Sequence, residues 1–237
     1  MKNILTISIL ICVLTFCGRT QTVNESLDSA ESCMSASPDS ALAILESMDS
    51  VHFDSRSQNA RYALLKSIAL DKNYIDRTDD SLINIAVSYY RHRHNAQYKF
   101  KSYYYQARIY QNAGLMDRAM ESLVCAEHIR SVKNSYEDRA RLHIAKSQIL
   151  TSRYDYSDNL FIELKLVESY SKEAGKMNNY VSSLVDQSKA YIIKKDYEEA
   201  NRCLEAIKCL DSLSYRSLLA YKKIMFIPVS LYQTTCG

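Results

Sequence analysis

Two stretches of this chain, GLMDRAMESL and KKDYEEANRCL, carry one pattern. Each has a turn, an acidic residue, an alanine (Ala119, Ala200) and an apolar residue four later (Leu123, Leu204). In each, a tyrosine (Tyr110, Tyr191) stands nine residues before the alanine. Apolar and small residues at this spacing share one helix face. Repetition of such a unit marks an array of stacked elements. The 81 residues between the two alanines leave room for one more unit. RLHIAKSQILTSRYDYSDNLF fills it, with Ser157 in the alanine place and Phe161 four on. Two earlier segments take the same form. SASPDSALAILESM repeats the second helix around Ala41 and Leu45. There Ser37 is a cap, Pro38 fits the first helical position and Asp39 suits the positive helix end. In RYALLKSIALDKNYIDRTDDSLINIAVSYY, Thr78 is the capping candidate, and Leu82, Ile85, Ala86, Tyr89 and Tyr90 form one stripe.

Composition agrees with helices. Gly 4 and Pro 2 are too few for the many turns of an all-β fold. The expected fold is therefore all-α. It is an α-α superhelical solenoid of about five helix-turn-helix repeats over 22–214. A terminal helix near 215–226, stopped by Pro228, and a short tail make up 215–237.

The unit from Phe100 to Lys133 resembles the tetratricopeptide repeat family. Tyr103 stands at the family's first large aromatic, Ala107 at its first small position and Tyr110 at its next aromatic. Gly114 marks the turn, Ala119 the second small position, and Leu123 and Ala126 the second-helix contacts. Gln106 departs, since the family prefers leucine there. In the unit from Val181, Ser188, Tyr191, Ala200 and Leu204 match, while Lys195 replaces the turn glycine. The family's period is about 34 residues. Here Ala119 to Ser157 is 38 and Ser157 to Ala200 is 43, so longer helices or linkers must absorb the excess. PDSALAILESMDS and LDKNYIDRTDDSLI also look like a group of Bacteroidetes envelope repeat lipoproteins. Some of that group continue into a membrane helix and a cytoplasmic regulatory part. The apolar run Ile224 to Leu231 is too short to span a bilayer.

The N-terminus reads as an export signal over 1–17. Met1-Lys2-Asn3 is a short basic start, and Ile4 to Phe16 is apolar but too short to span. Cys17 follows directly. This resembles a lipoprotein signal whose cysteine is lipidated, although Phe16 stands where a small residue is usual. The remaining cysteines (Cys33, Cys125, Cys203, Cys209 and Cys236) form no CxxC pair and read as small buried hydrophobes.

Catalytic motifs are missing from the sequence: GxSxG, HExxH, the P-loop and the dinucleotide fingerprint do not occur. No catalytic residue, metal ligand or cofactor is expected. His92 and His94 in RHRH point to different helix faces and read as a solvated terminus. His52, His128 and His143 are isolated. Asp76, Asp79 and Asp80 lack the alternation of a calcium loop and read as capping acids. Net charge +3 carries no basic stripe of the nucleic-acid kind, so no nucleic acid partner is expected.

The resemblance implies a concave groove lined by first-helix residues. These are Lys101, Tyr104, Arg108, Gln111 and Asn112 in the best unit, then Arg139, Leu142 and Lys146, then Ser182, Val185 and Lys189. The cations Lys101, Arg108, Arg139, Lys146 and Lys189 have no acid among them, which favours an acidic peptide. Tyr104 is the tyrosine of YYY expected to touch a partner, with Tyr103 in packing and Tyr105 near the neighbouring unit. The expected function is a non-catalytic protein-interaction scaffold of the cell envelope, membrane-attached through lipidated Cys17. The alternative is a sensor or regulatory protein whose membrane and output parts lie outside this chain.

Overall fold

A computed structural model describes residues 22–129 and 134–210. These residues form ten helices and no strand. The helices are α1 (22–33), α2 (Pro38–Ser47), α3 (Arg56–Lys72), α4 (Ser81–Tyr90), α5 (Ala96–Asn112), α6 (Met116–Glu127), α7 (Tyr136–Ser152), α8 (Asp158–Glu173), α9 (Met177–Ile193) and α10 (Tyr197–Lys208). They fall into five successive pairs, so the chain is an all-α helical repeat protein. Cys17 and the expected helix at 215–226 lie outside the described residues.

The repeat is regular, and its period is not the expected one. The odd-numbered helices α3, α5, α7 and α9 are each 17 residues long. They start at Arg56, Ala96, Tyr136 and Met177, a spacing of 40, 40 and 41 residues. Each ends in the same way. One residue enters the left-handed region: Tyr74 (φ 59°), Gly114 (φ 74°), Tyr154 (φ 56°) and Lys195 (φ 61°). Its N–H and the next one turn back onto the helix. In α5, Gly114 N–H donates to Gln111 O at 3.0 Å and Leu115 N–H to Tyr110 O at 2.8 Å. The pairs Tyr74 to Asp71 and Ile75 to Leu70, Tyr154 to Thr151 and Asp155 to Leu150, and Lys195 to Ile192 and Asp196 to Tyr191 repeat this motif. It satisfies carbonyls that a helix end would otherwise leave open. α8 closes likewise at Gly175.

Setting the four helices in this register corrects several expectations. Ser157 is the N-terminal cap of α8, not its alanine equivalent. Ala41, Ala119 and Ala200 are the fourth residues of α2, α6 and α10, and in α8 that place belongs to Phe161. Phe161 is buried and stacks on Tyr191 with ring centroids 4.5 Å apart. Thr78 does not cap α4; Asp80 holds that position, and Asp79 accepts from the Ser81 N–H at 3.2 Å. In α4 the buried stripe is Ile83, Ala86 and Tyr90, while Ile85 faces out. The small places of the long helices, Ser67, Ala107, Ser147 and Ser188, are all buried, which lets a second helix approach.

The chain divides into two compact units at Ala126 and Glu127. The first, α1 to α6, has a continuous apolar core that includes Leu27, Leu45, Leu64, Ile83, Tyr105 and Ile109. The second, α7 to α10, buries Val181, Leu184, Val185, Leu204 and Ile207 in one cluster. A second cluster there holds Leu160, Phe161, Leu164 and Ala190. Truncating any of these fully buried leucines to alanine costs about 2–5 kcal/mol.

Candidate functional site

In the first unit, α5 carries Lys101, Tyr104, Arg108, Gln111 and Asn112 along one partly exposed face. One turn of helix separates Lys101 from Tyr104 or Tyr105, and another leads to Arg108. Of the three adjacent tyrosines, Tyr105 is the buried one, in the unit's core. Tyr104 packs at the edge of that core, 5.2 Å from Tyr105 and 5.9 Å from Phe100 between ring centroids. Tyr103 lies with Tyr110, Arg118 and Cys125 in a cleft between α5 and α6.

The cations of this face have partners within the chain. Arg108 Nε donates to Asp71 Oδ1 of α3 at 3.1 Å, and its Nη1 to Gln111 Oε1 at 3.0 Å. Burial disfavours the Arg108 cation, but the charge of Asp71 outweighs this, and the guanidinium stays firmly protonated. Lys101 Nζ is 4.0 Å from Glu31 of α1 and lies over the Tyr98 ring. Glu31 also accepts from Arg61 at 2.6 Å and from the Tyr98 hydroxyl at 2.6 Å. Burial and that bond to Glu31 push the Tyr98 phenol up to about 12. The sequence row held only cations because its acids come from α1 and α3. Asp71, Arg108 and Asn112 also line a cleft with Ile75, Arg77 and Leu82.

In the second unit the structure separates residues that the sequence had aligned. Lys189 does occupy the Arg108 place, is exposed, and pairs with Asp186 at 2.9 Å. Arg139 and Lys146 do not share that row. The residues equivalent to Lys101, Tyr104 and Arg108 in α7 are Arg141, Ile144 and Gln148, two positions further on. Arg139 instead lies over the rings of Tyr136 and Tyr170. Lys146 is buried, 6% exposed, and takes the place of Gln106. Its Nζ donates to Glu127 at 2.7 Å and lies 3.7 Å from Glu163, which also meets His143 Nδ1 at 2.6 Å. Arg139 and Lys146 are therefore placed by structure rather than by an outward row.

Gln106 marks a feature that sequence reading missed. Its place is filled by Lys66, Gln106, Lys146 and Gln187 in the four long helices. Each is a long polar side chain that reaches a polar group outside its own helix. Lys66 bonds Asp49, and Gln106 Nε2 donates to Asn84 at 2.8 Å while its Oε1 accepts from Ser122 at 2.9 Å. Gln187 Nε2 donates to Glu168 at 2.8 Å. Lys and Gln alternating at forty-residue spacing was the available signal.

The cysteines also differ from expectation. Cys203 is buried, but Cys125 and Cys209 are exposed and Cys33 is half-buried. Burial pushes the Cys203 thiol up to about 11. Cys236 lies outside the described residues. His143, expected to be isolated, is buried against Glu163. No helix among the described residues is long and apolar enough to cross a membrane. Comparison with protein-family models, with curated proteins and with solved structures gives no match to this chain.

Proposed function

We propose that this chain is a non-catalytic interaction scaffold of the tetratricopeptide kind, exported and held at the cell envelope through a lipid on Cys17. The observation that carries this reading is the repeat itself. Long helices at a forty-residue period each offer an outward row, and a row of that kind suits an extended peptide or a partner helix. In the first unit the contact residues are Lys101, Tyr104, Arg108, Gln111 and Asn112. In the second they centre on Lys189. An acidic peptide segment would exchange with Asp71 for Arg108 and with Asp186 for Lys189. The intramolecular pairs therefore keep the face soluble and set the threshold a partner must exceed.

The test is capture from envelope extract on the immobilised full chain, beside the Arg108→Gln and Lys189→Glu variants. Neither residue is fully buried, so both variants should fold with unchanged far-UV spectra. A protein retained by the parent and lost from both variants supports the reading. Retention of the same proteins in all three would remove these rows as the binding surface. Attachment is tested separately, since Cys17→Ser should release the protein from membranes.

A further inference from the structure

The paired cations leave one strongly basic feature unexplained, the loop RHRHN between α4 and α5. Arg91, His92, Arg93 and His94 are all exposed. Among the described residues none of them makes an ion pair with a carboxylate. Arg93 lies over the Tyr89 ring at 4.7 Å, which holds the guanidinium without neutralising it. Lys99, in the first turn of α5, has no acid partner among the described residues either. No acidic residue occurs between Asp80 and Asp117. The loop thus presents two permanent positive charges to solvent, and half-buried Lys99 adds a third in the first turn of a 17-residue helix, at its positive end.

The packing of the first unit tells which edge this loop occupies. Gln58, third in α3, donates to Asn24, third in α1, at 3.2 Å, and Arg61 bonds Asp28 and Glu31 further along. α1 and α3 therefore run parallel. Asp71 and Arg108, both near the ends of their helices, show the same for α3 and α5. The start of α5, with its basic loop, thus points to the same side as the start of α1, but it is offset along the axis, since Tyr98, third in α5, bonds Glu31, tenth in α1. Cys17 precedes α1 by five residues, no more than about 17 Å of extended chain. The neighbouring α2–α3 loop on this edge carries Asp49, engaged by Tyr62 and Lys66, and Asp54.

We propose that Arg91, Arg93 and Lys99 form a contact for phosphate-bearing lipid headgroups. The contact sets the anchored protein with the α1 and α5 starts toward the bilayer and the opposite edge away from it. The orientation rests on the lipid at Cys17, while the headgroup contact does not. Unpaired, exposed arginines next to a tether are what an anionic surface attracts, by roughly tenfold or more in partitioning for three such charges. Cations already paired, such as Arg108, would contribute nothing.

The experiment uses the full chain carrying Cys17→Ser, so that no lipid is attached, and vesicles of phosphatidylcholine alone or with 30% phosphatidylglycerol (roughly the anionic content at which charge attraction operates). The apolar N-terminal run contributes equally to both, and the ratio of the two partition coefficients isolates charge. The expected ratio is at least about tenfold, falling as salt screens it, and several-fold lower in R91Q/R93Q/K99Q, where the charges flanking the apolar run remain. R108Q should keep the parental ratio. A parental ratio near one, or an unchanged ratio in the triple variant, overturns the proposal. So does loss of the ratio on adding millimolar inorganic phosphate at constant ionic strength, because the site would then bind free anion rather than a surface. Acyl labelling of the unmodified chain in cells reports on Cys17 independently. Labelling without a vesicle preference sinks the contact alone, and a vesicle preference without labelling sinks the anchor alone.

Discussion

At the scale of single residues, the left-handed turns are the plainest departure from what the chain would choose locally. A side chain at positive φ costs about 1–2 kcal/mol, and Tyr74 and Tyr154 are also 90% and 83% exposed, so burial returns little. Tyr74→Gly and Tyr154→Gly should each raise stability by about 0.5–1 kcal/mol, after the extra freedom glycine gives the unfolded chain. Urea melts will measure it, and a loss would show that the rings stabilise the turn. Gly114→Ala should lose about 1 kcal/mol, all of it backbone strain, since an added Cβ meets no atom within 4 Å. The cysteines give a second test. With its thiol at about 11 and buried, Cys203 should react with a thiol reagent at pH 8 far more slowly than exposed Cys125 and Cys209. Labelling followed by peptide mapping resolves the three. Single residues were partly legible in sequence. The bond of Asp79 to the start of α4 was, because it is local, although the cap position falls on Asp80 and not on Thr78. The burial of Tyr105 rather than Tyr103 was not, because all three rings fit a helical stripe and only tertiary packing chooses.

At the scale of elements, the pairs α5–α6 and α9–α10 were readable because each has a small fourth residue, an alanine, in its second helix. α7–α8 was misread because Phe161 stands in that place, and a search for a small residue slid back to Ser157. The slip carried α7 two positions out of register and brought buried Lys146 into a surface row. The buried position gives Lys146 a different test. Lys146→Met strips Glu127 and Glu163 of their cation and should cost about 3 kcal/mol. Lys146→Gln keeps a hydrogen-bonding side chain, as Gln106 and Gln187 do, and should cost nearer 1 kcal/mol. Equal losses would argue against the ion pair. Asp49 tests the first unit. Its bond with Lys66, then that with Tyr62, holds its carboxyl below the ordinary range. A depressed folded value means stability that is present above the unfolded value near about 4 and is lost as pH falls through the lower folded value. Asp49→Asn should therefore flatten the acid limb of stability against pH. The effect should stay under about 1 kcal/mol, because the carboxylate is half exposed.

For the molecule as a whole, the all-α class and the number of helix pairs followed from scarce glycine and proline and from apolar spacing. The period did not, because comparing second helices of unequal length (10, 10, 12, 16 and 12 residues) blurs it. The 17-residue first helices of the last four pairs fix it at about forty. Removing residues 96–135, one full period, should therefore leave a helical protein with a cooperative melt. Removing 34 residues from the same start should not, because every later turn would fall out of step. Circular dichroism against temperature compares the two. The polar ladder has a consequence for assembly. Lys66 and Lys146 each find a carboxylate, whereas Gln106, between them in sequence, finds the neutral Asn84. Gln187 meets the carboxylate of Glu168, so a lysine could stand in its place. A neighbour that set a lysine beside Asn84 would instead leave an ammonium facing an amide. That mismatch costs several kcal/mol, so the α4 place is the one rung among the described residues that admits an amide and refuses a lysine.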